Sequence, residues 1–436
     1  MSIYEVDLNN SLLEKIKKKE INIAIIGLGR VGLPLASVFA NSELNVVGVD
    51  IDQKHIELIS KAKSPFYDQQ LQISLENAIN SGNLHVYNEI SKIKNNIDVI
   101  IVTVGTPTTA DNTGVDYSQL YSALEKICSV SLNGKLIILR STMPPGTTKD
   151  IIIPFLESKT DCKCGVDFML SVCPERILEG HAIKEIHDLP EIVGGVNELS
   201  NELSAELFKL INPEKEILYT TISGAELAKL FANIYRYINF ALSNEFAIWA
   251  ERYGLDASEL IRIANYKYPR SNIPRPGFAG GPCLSKDGSF LDNNTTYTGI
   301  ISTAWKLNEG IPQYIVNNIK NEAGNLFNKK IAVLGLSFKA NSDDLRSSPS
   351  VKLVEILKST GANVVVHDPH VKSTFSLDEA LNSADIVIIA TNHNEFKEID
   401  NTILKNGCKL VYDVWAMYDE TKFPGIKYMR FGRGTV

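Results

Sequence analysis

The sequence predicts an α/β protein: two doubly wound parallel-sheet domains joined by a central helical domain with one long helix. Three observations predict it. The first is an internal echo. INIAIIGLGRVGLP (21–34) returns near the other end as KIAVLGLSFKANS (330–342), each an apolar run entering a glycine turn. NVVGVD (45–50) likewise resembles NVVVHD (363–368), and IDVIIVT (97–103) resembles ADIVIIAT (384–391). The second is the character of these runs. They are short, rich in Val and Ile and continuously apolar, as parallel strands buried on both faces are. The third is the middle of the chain, where residues 223–265 hold helix formers and no strand-like run. There Ala225, Leu227, Ala228, Leu230, Phe231, Ile234, Ile238, Ala241 and Leu242 recur at helical spacing. The implied domains are 1–215, 216–315 and 316–436. The broad apolar stripe of the long helix suits an ordinary core helix or a homodimer surface.

Bulk properties narrow the function. A chain of 436 residues has room for two to four domains of the usual size, ~100–200 residues each. A net charge of −7 argues against a broad nucleic-acid footprint, which needs a basic surface. It leaves open a phosphorylated small substrate, which a few N–H groups and local cations can hold. Six cysteines are too few for a disulfide scaffold. Cys162-Lys163-Cys164 lacks the further Cys or His spacing of a metal site, so no metal is expected. Residues 1–20 lack the apolar core of a signal peptide. Apolar runs such as 98–104 fall far short of the ~20 residues that cross a bilayer. A cytoplasmic protein without a membrane partner is expected.

Gly27-Leu28-Gly29-Arg30-Val31-Gly32 matches G-x-G-x-x-G between an apolar strand and an apolar helical segment. The first glycine permits a tight turn, the second admits a pyrophosphate to the backbone, and the third lets helix and strand pack closely. The phosphates then meet free N–H groups at the helix start. Asp50 ends the next strand, where a carboxylate binds a ribose diol and repels the extra phosphate of NADP. A Rossmann-like NAD site is therefore expected. The second copy, Gly335-Leu336-Ser337, lacks the second glycine. It suits a different nucleotide or none, which suggests one domain for NAD and one for a nucleotide-linked substrate.

A Pro/Gly-rich loop (266–288) follows the helical segment and contains Gly280-Gly281-Pro282-Cys283. A cysteine after flexible glycines and near a helix start suits a nucleophile; a small packed side chain is the other reading. Asp287 stands four residues on, the same spacing that separates Lys229 from Asn233 in the long helix. Lys, Asn, Cys and Asp together can polarise a carbonyl and move protons; a solvated helix face would also carry Lys229 and Asp287.

The ordered set IGLGRVGLP, VDID, VGTP, STMPPGTT, CPERILEG, GAELAKLFANIYR, GGPCLSKD and GLSFKANSDDLRSSP resembles the UDP-glucose/GDP-mannose dehydrogenase family over nearly the whole chain. The resemblance implies a four-electron oxidation of a sugar C6 alcohol to a carboxylate with NAD. A first oxidation gives an aldehyde, the Cys283 thiolate adds to form a thiohemiacetal, a second oxidation gives a thioester, and water releases the acid. It implies that Lys229 and Asn233 hold the oxyanion, and that Asp287 positions or deprotonates water. Thr142, Glu175 and Glu179 match positions around that water and the sugar, and Thr106 one near the nicotinamide. Lys339 and Arg346 match the nucleotide-contacting segment. Arg270 and Asn272 match one that reaches the substrate, in some members from the neighbouring subunit. Gly280 and Arg176 complete the substrate set.

Two motifs disagree about the sugar. PERILEG, with Arg176 after Glu175, resembles the N-acetylhexosamine branch. Pro282 stands where many such members have His. The reading adopted is a UDP-N-acetylhexosamine, N-acetylmannosamine before N-acetylglucosamine, with UDP-glucose as the alternative and surface polysaccharide or glycan as the destination. A two-electron hydroxy-acid dehydrogenase would have no use for Cys283. A non-catalytic nucleotide-sugar binder would need none of Lys229, Cys283 and Asp287.

Overall fold

The computed structural model describes residues 11–90, 96–109, 114–292, 299–399, 404 and 407–434. The first ten residues of the N-terminal stretch discussed above lie outside these. The chain forms two compact units, divided within the long helix after Phe231. The first runs up to Phe231 and takes in a short stretch from Ser289; the second holds 232–288 and the remainder.

The first unit is built on an eight-stranded sheet in the order β3-β2-β1-β4-β5-β6-β7-β8. Its strands are β1 (Asn22–Ile26), β2 (Asn45–Val49), β3 (Leu84–Tyr87), β4 (Val99–Val102), β5 (Leu136–Leu139), β6 (Met169–Val172), β7 (Glu191–Gly195) and β8 (Ile217–Thr220). The expected α/β fold is present, and the strand order reverses between β1 and β4, the point where such sheets receive ligands. Burial on both faces explains the unbroken apolar runs. Along β1, Ile23 and Ile25 enter one core with Val46, Ile101 and Phe39. Ala24 and Ile26 enter the opposite core with Ile100, Val102 and Leu139. Each fully buried Ile contributes roughly 1.5–3 kcal/mol. One feature departs from the expected all-parallel sheet. β7 runs antiparallel to β6, with Val172 opposite Gly194 and Ser171 opposite Gly195, and β8 follows β7 in parallel.

The second unit has a five-stranded parallel sheet in the order β10-β9-β11-β12-β13. These are β9 (Lys330–Leu334), β10 (Asn363–His367), β11 (Ile386–Ile389), β12 (Leu410–Asp413) and β13 (Lys427–Arg430). Again alternate residues serve two cores, Ile331 and Val333 in one, Ala332 and Leu334 in the other.

The predicted helical region is two helices. The long one spans Ile222–Arg252 and a second spans Ala257–Asn265. Gly254, at φ +69°, makes the break, and Asp256 caps the second helix by accepting from the Ser258 N–H. Among the described residues no helix is long and apolar enough to cross a membrane.

Candidate active site

In the first unit the glycine turn does what its spacing requires. Gly27 sits at φ +97°. A Cβ on Gly32 would lie 1.9 Å from the Gly27 carbonyl oxygen, whereas one on Gly29 would meet nothing within 4 Å. So Gly32 is needed for closeness and Gly29 leaves an open face, a cradle that fits a dinucleotide pyrophosphate. The helix Gly32–Asn41 starts at once, with Val31 at its N-cap. Asp50 closes the turn, accepting from the Leu28 N–H (2.6 Å) and the Asp52 N–H (2.9 Å). Arg30 pairs with Glu179 at 3.6 Å and covers the Phe66 ring. Thr106 is buried and its hydroxyl donates to the Thr142 carbonyl at 2.6 Å.

The loop carrying Thr142 is fixed from the long helix. Glu226 accepts from the Gly146 N–H at 2.8 Å, the Thr148 N–H at 3.0 Å and the Thr148 hydroxyl at 2.6 Å. Lys229 follows one turn later and is buried, so it is not a solvated helix-face lysine.

Glu175 is also buried. Its Oε2 accepts from Arg140 Nε at 3.0 Å and from Arg140 Nη2, and its Oε1 from the N–H groups of Arg176 (2.8 Å) and Ile177 (3.2 Å). Burial alone would push this carboxyl up; the Arg140 charge and hydrogen bonds, the Arg176 N–H and the charge of Lys229 outweigh it and hold it below the usual range. The Arg176 guanidinium donates to the Pro190 carbonyl. Sequence reasoning missed Arg140. Its signal was a charged residue ending an apolar strand, LIILR (136–140).

In the second unit Cys283 is exposed. It precedes a single helical turn, Leu284–Asp287, whose Asp287 N–H donates to the Cys283 carbonyl at 3.0 Å. The glycines before it are not flexible, which corrects the expectation. Cβ atoms on Gly280 would lie 2.4 Å from Pro349 Cδ, and on Gly281 2.7 Å from the Phe338 ring. Gly281, at φ +101°, also donates its N–H to the Ser347 carbonyl at 3.0 Å. They are glycines because the chain passes too close for a side chain, and that fixes the cysteine in place.

Asp287 is fully buried and accepts from Asn233 Nδ2 at 2.6 Å, with Lys286 Nζ 3.8 Å from its other oxygen. A solvated helix face is excluded for this residue too. Arg270 and Asn272 are exposed, Arg270 lying over the Tyr268 ring. Arg346 is clasped by the buried Asp344 through Nε at 2.9 Å, and Lys339 is half-buried in the same loop.

The fold is thus that of an α/β nucleotide-binding enzyme, with a cofactor cradle in the first unit and, in the second, an exposed thiol four residues before an aspartate buried against Asn233. Family comparison makes this specific. The chain matches the NAD-binding (21–212), central (223–310) and UDP-binding (332–420) domains of the UDP-glucose/GDP-mannose dehydrogenase family, and it belongs to that family. It is an NAD-dependent nucleotide-sugar dehydrogenase. A UDP-N-acetyl-D-mannosamine dehydrogenase of Methanocaldococcus jannaschii is 37% identical over 406 residues, 90% of this chain and 91% of the relative. The solved UDP-D-ManNAc dehydrogenase of Pyrococcus horikoshii superposes with TM-score 0.89 at 34% identity, covering 95% of this chain and all of that one. A UDP-glucose dehydrogenase of Pyrobaculum islandicum gives 0.83 at 25% identity, covering 94% and 97%.

Proposed function

We propose that the protein oxidises the C6 alcohol of UDP-N-acetyl-D-mannosamine to the uronic acid, with NAD preferred over NADP, through a thioester on Cys283. The observation that carries the covalent route is the exposed Cys283 on a turn fixed by Gly280 and Gly281, next to a buried Asp287 hydrogen-bonded to Asn233. Resemblance at similar length to relatives named for this sugar supports the choice of substrate.

Bound NAD supplies the hydride acceptor for each oxidation. The open face at Gly29 and the helix start at Gly32 bind its phosphates, and Asp50 holds the ribose diol. Thr106 and Thr142 line the nicotinamide end. Cys283 adds as thiolate to the aldehyde carbon, which converts a poor donor into a thiohemiacetal whose oxidation leaves a thioester. Lys229 and Asn233 hold the oxygen that becomes negative in that addition. Asp287 takes a proton from the water that then releases the acid. Glu175 and Glu179 orient that water and the sugar. Arg176 and Gly280 complete the sugar pocket, and Lys339 and Arg346 hold the nucleotide.

The long helix supports a homodimer. Beyond its buried face, Phe231, Tyr235, Leu242, Phe246, Trp249 and Tyr253 form an exposed apolar stripe at spacings of three, four and seven. Such a stripe suits a second copy, with Arg270 and Asn272 reaching the neighbouring site. We place the enzyme in the cytoplasm, supplying glycan synthesis.

The test is NADH counted per sugar consumed, over a panel of UDP- and GDP-sugars with each cofactor. Two NADH per UDP-N-acetylmannosamine is expected. One NADH would refute the covalent route, none the enzyme, and a preference for UDP-glucose the sugar.

A further inference from the structure

The reversed strand β7 has a chemical consequence. Antiparallel pairing sets Val172 opposite Gly194, and continuing that register brings Glu175, beyond the end of β6, to the level of Glu191, the first residue of β7. Both carboxylates are buried, and Arg140, at the end of β5, bridges them. It holds Glu175 through Nε and Nη2 and Glu191 through Nη1 at 3.1 Å. The guanidinium lies over the Phe208 ring. An all-parallel sheet would have put the start of β7 at the opposite edge. The bridge is therefore a product of the reversal.

We propose that Arg140 and Glu191 are positioning residues for the oxidation: Arg140 fixes the aim of an ionised Glu175, and Glu191, the less fully hydrogen-bonded carboxyl of the pair, is the one that takes up and gives back a proton. This rests on the placing of Glu175 in the active site.

The two carboxylates are not equivalent. Glu175 is met by four N–H groups and by the charge of Lys229. Glu191 has one Arg140 contact. Lys215, whose charge also acts on it, turns its ammonium to the carbonyls of Ile186 (2.6 Å) and Leu189 (2.7 Å). Burial and the like charge of Glu175 push Glu191 up to about 7 against the pull of Arg140 and Lys215. The other titratable groups around it are Cys173, at the end of β6, and Arg176 and Glu185, which line the same small polar cleft. Glu185 is occupied, accepting from the Leu178 N–H at 2.5 Å.

Glu191→Gln tests this, since it keeps the shape and an oxygen for Arg140. The first readout needs no activity. A carboxyl whose folded value is raised favours folding when protonated, so its contribution fades as pH rises from about 4.5 to about 7. The Tm difference between Glu191→Gln and wild type should therefore grow in the variant's favour from pH 5 to pH 8. A difference that stays flat overturns the proposal. The second readout is kcat/KM against pH. The wild-type inflection near 7 should vanish in Glu191→Gln and persist, displaced to lower pH, in Glu175→Gln, where the like charge is gone; Arg140→Lys and Arg140→Gln should each lose tenfold or more, because neither reproduces the guanidinium fork. An inflection unchanged in Glu191→Gln overturns the proposal. Wild-type enzyme inactive on every nucleotide sugar would instead refute the dehydrogenase reading, leaving the Tm comparison to judge the proton.

Discussion

The two sheets open with nearly the same turn and use it differently. In both, an aspartate after the second strand accepts from the turn's backbone. Asp50 takes the Leu28 N–H at 2.6 Å, and Asp368 takes the Leu336 N–H at 2.7 Å. The second turn is then filled in. Ser337, at the position of Gly29, donates an N–H to Asp368 and its hydroxyl to the Lys339 carbonyl at 2.8 Å. Buried His393 accepts from the Asn341 N–H at Nδ1, so its proton sits on Nε2, facing Asp368 at 3.1 Å. Ala340 replaces Gly32, and the next helix waits until Pro349. A turn without an open face or an immediate helix start has lost the means to cradle a pyrophosphate. What it retains is a braced loop, 338–346, carrying Lys339 and Arg346. The second turn has the brace and lacks the cradle.

His370, His393 and Glu395 present ligand atoms within 4.8 Å of one another, which looks like a metal group. The tautomer argues otherwise, because both His393 nitrogens are committed to hydrogen bonds.

If this contrast is right, Gly32→Ala has the largest effect. The new methyl has no room against the Gly27 carbonyl, so NAD binding followed by fluorescence should be lost and Tm should fall by several degrees, a cost of ~3 kcal/mol or more. Retained NAD affinity would mean the first turn tolerates what the second already contains. His393→Ala comes next. It unhooks the loop at Asn341, so KM for the UDP-sugar should rise roughly tenfold, about what losing buried hydrogen bonds costs, while KM for NAD stays put. A rise in both would show that the brace serves the whole chain. Ser337→Gly is the smallest. Restoring the missing glycine should cost about 1 kcal/mol in stability and leave one NAD bound per chain by calorimetry. A second NAD would show that the glycine alone makes the cradle.

Strands β1, β2, β4, β9, β10 and β11 and both glycine turns were legible because each follows from local spacing. Lys229, Asn233, Cys283 and Asp287 stood out by type and spacing, but the burial of Lys229, Asn233 and Asp287 did not, since one helical period serves a wet face and a buried one alike. Gly280 and Gly281 read as flexible because proximity to Pro349 and Phe338 leaves no mark on nearby sequence. Arg140 and Glu191 escaped for a different reason. Strand direction is set by connections and by the whole sheet, and nothing in EIVGG states that it runs backwards.

Glu226 carries a further lesson about how such an enzyme can change. Its carboxylate clasps the backbone of Gly146 and Thr148 one turn before Lys229, so the loop bearing Thr142 and the helix bearing Lys229 form one mechanical piece. A substitution that shifts either carries the other with it. Altering the sugar preference by loosening this loop would misplace the ammonium as well, so workable changes should come from segments outside the clasp.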